Sequence, residues 1–179
     1  GVDIGGTHIG FGIMEINSHV LLTSKQIEIQ FLNCKNPEEL IDMISLNLKE
    51  LLKQNINKLK GIGIGSPGQC KDGVLISASN ILKECKNIPI VKMLNVYFPS
   101  IPILLLNDAD AATAAEFYNP EFRTTYENIQ SAVLITLGTG IGSGIICNNH
   151  LILGSNGLIE CGHMIVDISN KHSSACIRV

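Results

Sequence analysis

The chain contains no tryptophan, and its aromatic side chains make up only 4% of 179 residues. So few aromatics leave no platform on which the bases of single-stranded nucleic acid could stack. Basic residues are not in excess either: 13 Lys and Arg face 16 Asp and Glu, for a net charge of −3. Without a basic footprint, nucleic acid is not expected as a partner. No apolar run reaches the roughly 18 residues that a membrane-spanning helix requires. No Gly-Lys dipeptide occurs, which removes the P-loop, whose lysine reaches the phosphates. The cysteines Cys34, Cys70, Cys85, Cys147, Cys161 and Cys176 form no CxC or CxxC pair. Scattered single thiols fit a reducing, cytoplasmic setting better than a disulfide framework.

What remains is a globular composition, 45% hydrophobic and 16% charged, sufficient for one full core or parts of two. The most informative stretch is the opening run GVDIGGTHIG. A short strand carrying Val2, Asp3 and Ile4 breaks at Gly5-Gly6-Thr7, and a second β-prone run, Ile9–Ile16, follows at once. A glycine turn between strands allows backbone N–H groups to approach an anion and tolerates positive φ. Thr7 adds a hydroxyl donor, and Asp3 can hold a hydrated divalent metal. That set suits a polyphosphate with magnesium. The same residues also make an ordinary glycine-rich hairpin.

A second turn of similar construction lies more than a hundred residues away. SAVLITL at Ser131–Leu137 reads as a buried strand, and Gly138-Thr139-Gly140-Ile141-Gly142-Ser143-Gly144 leads into another at Ile145–Cys147. Two such turns can pinch one phosphate chain from two lobes, as in the actin-like sugar-kinase architecture. Between them, Asn36–Lys53 has the pattern of a core-facing helix. Asn36 caps it, Pro37 takes its first position, and Leu40, Ile41, Ile44, Leu48, Leu51 and Leu52 recur at helical spacing. Lys60–Ser66 reads as a buried strand turned by Pro67-Gly68, Gly73–Ser79 as an extended return, and Ile90–Val96 as a short helix. Ile101–Leu106 reads as a central strand of a parallel sheet, and Ala109–Tyr118 as a helix. The polar stretch Asn119–Asn128 reads as a hinge. The order predicts an α/β, ribonuclease-H-like (actin-like ATPase) fold. An N-terminal lobe would occupy residues 1–118, and the start of a second lobe residues 119–179. Gly1 already lies in a strand and the second lobe is short of helices, so the chain is expected to be a piece of a longer protein.

Three places invite chemistry, each with a plainer alternative. Gly63, Gly65 and Gly68 satisfy G-x-G-x-x-G, but no helix can open after Pro67-Gly68, so the dinucleotide reading fails. Asn107-Asp108 ends a strand where open α/β sheets place ligands. Asp108 is either the N-cap of the next helix or a general base for a sugar hydroxyl. Glu160 and His163, three residues apart, can both hydrogen-bond sugar hydroxyls, or be a surface carboxylate and a core histidine. His8, His19, His150 and His172 have no motif context and read as surface or loop residues.

Taken together and in order, DIGGT at Asp3–Thr7, GIGSPG at Gly63–Gly68, Asn80 in SASN, LND at Leu106–Asp108, LGTGIGSG at Leu137–Gly144 and ECGHM at Glu160–Met164 resemble the ROK (repressor, open reading frame, kinase) family. The resemblance implies ATP-dependent phosphorylation of a hexose, glucose first and N-acetylmannosamine as the alternative. It implies that Asp3 with Gly5, Gly6 and Thr7 meets ATP phosphates and magnesium, the metal on the carboxylate. Thr139 and Gly140 would hold phosphate. Asn80, Asn107, Glu160 and His163 would bind the sugar, and Asp108 would be the catalytic base.

The family kinases follow the Gly-His with a C-x-C-G-x-x-G-C loop, whose cysteines join the His on a structural Zn²⁺. Here MIVDISNKHSSACIRV follows His163 and offers only Cys176. A structural zinc site wants four N/S ligands, so His163 is a zinc ligand whose partner cysteines are absent, and the fragment is expected to be poorly active or inactive. The family also includes sugar-responsive repressors, and a sugar-binding remnant without phosphotransfer is a third reading. An uncovered second lobe would also favour a homo-oligomer.

Overall fold

A computed structural model describes residues 1–28, 36–78, 86–138, 140–157, 159 and 161–164, the side chains of Gln54 and His163 excepted. Two compact units result, Gly1–Asp108 and Ala109–Val179. The division falls at the start of the helix after the LND motif, whereas the sequence reading put the boundary at its end. The reason is packing: this helix lies against the second unit's sheet, as its contacts below show.

In the first unit, β1 (Val2–Ile4), β2 (His8–Met14) and β3 (Leu21–Glu28) form an antiparallel meander. The helix α1 (Pro37–Leu52) follows. Its cap is the one the sequence indicates: Asn36 accepts a hydrogen bond from the Glu39 backbone N–H at 2.9 Å, with Pro37 next. After a 3-10 turn at Lys53–Lys58, β4 (Ile62–Ser66) returns parallel to β1. A small hairpin follows, β5 (Gln69–Lys71) and β6 (Val74–Ser77). Asp72 and Gly73 join its strands with φ of 51° and 78°, the left-handed pair that a tight hairpin turn needs. Then α2 (Ile90–Leu94) leads to β7 (Ile103–Asn107), parallel to β4. The five-stranded sheet runs β3-β2-β1-β4-β7.

The strand β7 is therefore at the sheet edge among the described residues, not at its centre. Leu104 is accordingly 59% exposed, while Leu105 beside it is buried. The sheet has two unlike faces. On one, Val2, Ile4, Ile9, Phe11, Ile62, Ile64 and Leu105 pack with Leu40, Ile41, Ile44 and Leu48 of α1 and Ile90 and Leu94 of α2. Strand alternation sends the intervening residues to the other face. These are Gly10, Asp3, Gly63, Gly65, Leu104 and Leu106. One face is a helix-covered core; the other has glycine on either side of Asp3.

The second unit contains α3 (Asp108–Phe117, apart from its first residue), α4 (Pro120–Thr125) and the antiparallel sheet of β8 (Ala132–Leu137), β9 (Ile141–Cys147) and β10 (His150–Leu151). The expected hinge is thus partly helix. Asn119 accepts from the Glu121 N–H at 2.8 Å with Pro120 at the first position, and Phe122 packs 5.9 Å from the Phe117 ring and 4.9 Å from Tyr126. The expected buried strand at Ser131–Leu137 also differs, since Val133, Ile135 and Leu137 on alternate positions are exposed. Only its other face meets the helix. There the glycines of β9 set the distance. A Cβ at Gly144 would overlap Thr113 Oγ1 and stand 3.0 Å from the Ala109 carbonyl oxygen. One at Gly142 would lie 3.3 Å from Ala109 Cβ. The second unit is therefore not short of helix, as the sequence reading expected; α3 belongs to it.

Candidate active site

Sheet register assembles the first part of the site. Asp3 pairs with Gly10 on one side and with Gly65 on the other, and Gly65 pairs with Leu106. The row Gly10–Asp3–Gly65–Leu106 crosses four adjacent strands on the bare face. Asp108 follows two residues after Leu106 and is the first residue of α3. Neighbouring strands lie about 4.8 Å apart, so Asp3 and the end of β7 are two strand spacings apart with only glycine between them. The two carboxylates sense each other. Partial burial pushes the Asp3 carboxyl above its ordinary value, and the Asp108 charge pushes it further. Both effects disfavour the ionised form.

Such a donor set fits magnesium. The ion prefers hard oxygen ligands and typically binds one or two carboxylates together with substrate phosphates. Its charge would also relieve the repulsion that lifts Asp3. Among the described residues, no three His, Cys, Asp or Glu side chains cluster; the His163 side chain and Cys176 lie outside them.

The Gly5-Gly6-Thr7 turn closes between Ile4 and Ile9, which pair across β1 and β2. Its closing bond runs from the Gly5 N–H to the His8 carbonyl at 2.8 Å. A Cβ at Gly5 would stand 3.0 Å from that oxygen, so close approach explains the glycine. Positive φ does not: among the described glycines it occurs at Gly68, Gly73 and Gly157. Gly6 and Thr7 are exposed at the tip. The Thr7 hydroxyl lies 2.7 Å from Nδ1 of His8, and His8 Nε2 lies 3.9 Å from Glu28 Oε1 across β3. The sequence reading set His8 aside as a surface or loop residue. The structure makes it a strand residue bonded to the turn. The available signal was its position directly after the Gly-Gly-Thr turn.

Asn107 points the opposite way from Asp108. It is buried on the core side and donates from Nδ2 to the Gly68 carbonyl at 3.0 Å. Gly68 holds φ of 92°, and a Cβ there would overlap the Ser77 carbonyl oxygen. Asn107 thus ties the GIGSPG turn to the end of β7. The second glycine turn closes with Gly138 N–H donating to Gly140 O at 3.0 Å, and Cβ atoms at Gly138 and Gly140 would meet open space. Asn80, Thr139, Glu160 and the His163 side chain lie outside the described residues. The backbone of Cys161–His163 forms a 3-10 turn, anchored by Cys161 N–H donating to Ser143 Oγ at 3.2 Å. No described helix is long and apolar enough to cross a membrane.

The profile of the ROK family matches residues 1–178. The N-acetylmannosamine kinase of Salmonella newport (strain SL254) is 28% identical over 176 residues, 98% of this chain and 55% of that protein. The crystal structure of a ROK family glucokinase from Streptomyces griseus, in complex with glucose and AMPPNP, superposes with a TM-score of 0.69 at 28% identity. That match covers 93% of this chain and 50% of that one. A ROK family transcriptional regulator, a homolog of the E. coli MLC protein, shares the fold with a TM-score of 0.78 at 20% identity, covering 97% of this chain and 42% of that one. The chain spans about half the length of the curated relatives it matches. Its mixed α/β, actin-like architecture and the order of its motifs agree with the family match, and the chain belongs to the ROK family.

Proposed function

We propose that this chain carries the phosphate and catalytic-base half of a hexose kinase that uses ATP and magnesium. The observation that carries this reading is the register that sets Asp3 two strands from the end of β7, where Asp108 opens α3 and its charge reaches Asp3. Asp108 accepts the proton of a sugar hydroxyl as that oxygen attacks the γ-phosphorus. The bond from phosphorus to the β–γ bridging oxygen breaks, and ADP leaves with the electron pair. A weak base suffices, because positioning and charge stabilisation dominate phosphoryl transfer. Asp3 holds magnesium, which neutralises phosphate charge when bound. Gly6 and Thr7 offer backbone and hydroxyl donors to phosphate on a turn that the Gly5 N–H closes, and Thr139 and Gly140 serve the same ligand. Asn80, Glu160 and His163 contact sugar hydroxyls. Asn107 joins them or, through its bond to Gly68, shapes the turn beside them.

The substrate is a hexose, with glucose and N-acetylmannosamine as the two candidates, and the protein works in the cytoplasm. The similarity to a kinase for each sugar supports the class without separating the two. The test is ATP-dependent phosphorylation by the 179-residue chain, read as ADP release with each sugar in turn, alongside Asp108→Asn. Sugar-dependent ADP release that vanishes in the variant supports the reading. ADP release that Asp108→Asn leaves intact refutes the role of Asp108, and sugar binding without any phosphotransfer is the result expected of a chain that spans about half of its relatives.

A further inference from the structure

We propose that His8 is a positioning residue that sets the direction of the Thr7 hydroxyl, so that anion binding at the glycine turn is coupled to a proton on His8 Nδ1. The inference rests on the phosphate reading of that turn. Its physical basis is the single proton that the Thr7 hydroxyl has to give. With Nδ1 bare, the contact of 2.7 Å requires Thr7 to donate to the imidazole, and the hydroxyl then presents only lone pairs outward. With a proton on Nδ1, the direction reverses. His8 donates to Thr7 Oγ1, and the hydroxyl proton is released toward whatever sits at the exposed turn. The heavy atoms need not move.

On the adjacent β3, the Glu28 carboxylate lies 3.9 Å from Nε2. His8 alternates with Gly10 on β2, and Gly10 pairs with Asp3, so His8 shares the bare face with Asp3. The other carboxylate near that face is Asp108. The charged groups around His8 are therefore acidic, and α1 and α2 pack on the opposite side of the sheet. A bound polyphosphate would add to the same bias. Anion binding should thus favour the form with a proton on Nδ1, and affinity should be greater at pH 6 than at pH 8.

The test has two arms on the 179-residue chain. In the first, long-range ¹H–¹⁵N NMR of the imidazole reads the Nδ1 state in wild type and in Thr7→Val, without any ligand. A shift of the His8 nitrogens in the variant is expected, and unchanged nitrogens would overturn the proposal. In the second, tripolyphosphate is titrated calorimetrically at pH 6 and pH 8 into wild type, His8→Asn and His8→Leu. Asparagine places an amide near the Nδ1 position and can donate to Thr7 at any pH; leucine cannot. Charged hydrogen bonds are roughly twice as strong as neutral ones, so wild type should gain about fivefold more than His8→Asn between the two pH values. The ligand's own protonation cancels in that ratio. His8→Leu should bind about fivefold more weakly than His8→Asn at pH 8. Equal binding by His8→Leu and wild type at both pH values overturns the proposal and leaves the phosphate reading standing. Absence of tripolyphosphate binding by every variant overturns the phosphate reading and the proposal with it.

Discussion

Substituting Gly144 by alanine should be among the most damaging single-methyl changes in this protein. The added Cβ would overlap Thr113 Oγ1 and stand 2.7 Å from Thr113 Cβ and 3.0 Å from the Ala109 carbonyl. Thr113 cannot rotate away freely, because it is buried and its hydroxyl donates to the Ala109 carbonyl at 2.7 Å. The carbonyl belongs to the helix backbone, so the helix as a whole must move off β9. Overpacking of this kind costs about 1–3 kcal/mol, and a backbone obstacle places this case at the upper end. One kcal/mol moves the melting temperature of a chain of this size by about 2–4 °C, so a loss of about 6–12 °C is expected. Gly138→Ala is the control, since a Cβ there meets open space and its φ is not positive; it should change stability by less than about 0.5 kcal/mol. Thermal unfolding followed by circular dichroism measures both. If Gly144→Ala melts with wild type, or if Gly138→Ala falls as far, the division of LGTGIGSG into two turn glycines and two packing glycines is wrong.

In a completed enzyme, Asp108→Asn should lower phosphotransfer by about 10²–10⁴ with sugar binding falling only modestly, measured as kcat against the sugar dissociation constant. Asp3→Asn should abolish magnesium-dependent nucleotide binding yet raise the melting temperature at pH 7 by about 1–2 °C, a half-exposed carboxylate releasing only part of a kcal/mol. The sign follows from the raised Asp3 pKa: its contribution to stability is complete below the unfolded pKa and is lost as pH rises through the folded one. The advantage of the variant should therefore vanish in acid, which a pH series of melting curves would detect. Asn107→Ala should cost about 1 kcal/mol by removing the partner of the half-buried Gly68 carbonyl, read by urea unfolding.

Much of this architecture was legible because the signals were local. Asn36-Pro37-Glu38 announces a capped helix, and α1 begins there. The same triplet recurs as Asn119-Pro120-Glu121, and the same cap forms, yet its polar surroundings read as a hinge. No apolar stripe marks a six-residue helix that buries none of its own residues, so periodicity had nothing to report. The edge position of β7 was illegible for another reason. An apolar run such as ILLL has one composition whether one face or both are covered, and the pairing that decides it is with β4, far away in sequence. His8 was missed because a lone histidine has no spacing to read. Its meaning comes from a hydroxyl next to it and a carboxylate across a strand pair, and only the register of β2 and β3 brings the second one in.

The relation between core and site can be argued one step further. Asp108 follows directly on β7, whose Leu105 and Asn107 are on the covered face. Slipping β7 by a single residue would exchange its faces, turning Leu105 and Asn107 outward and Leu104 and Leu106 inward. The leucines nearly exchange burial, each being worth about 1.5–3 kcal/mol; what opposes the slip is the loss of the Asn107 bond to the Gly68 carbonyl, a buried amide then leaving its partner. Asp3 is held in the same manner by Val2 and Ile4 on either side, which are 4% and 1% exposed. The separation of the two carboxylates is thus fixed by apolar neighbours that never touch a ligand. Mutations that loosen those neighbours should therefore impair catalysis before they unfold the chain, whereas changes to exposed Leu104, on the bare face beside Gly63, should leave the pairing of Asp3 with Asp108 intact.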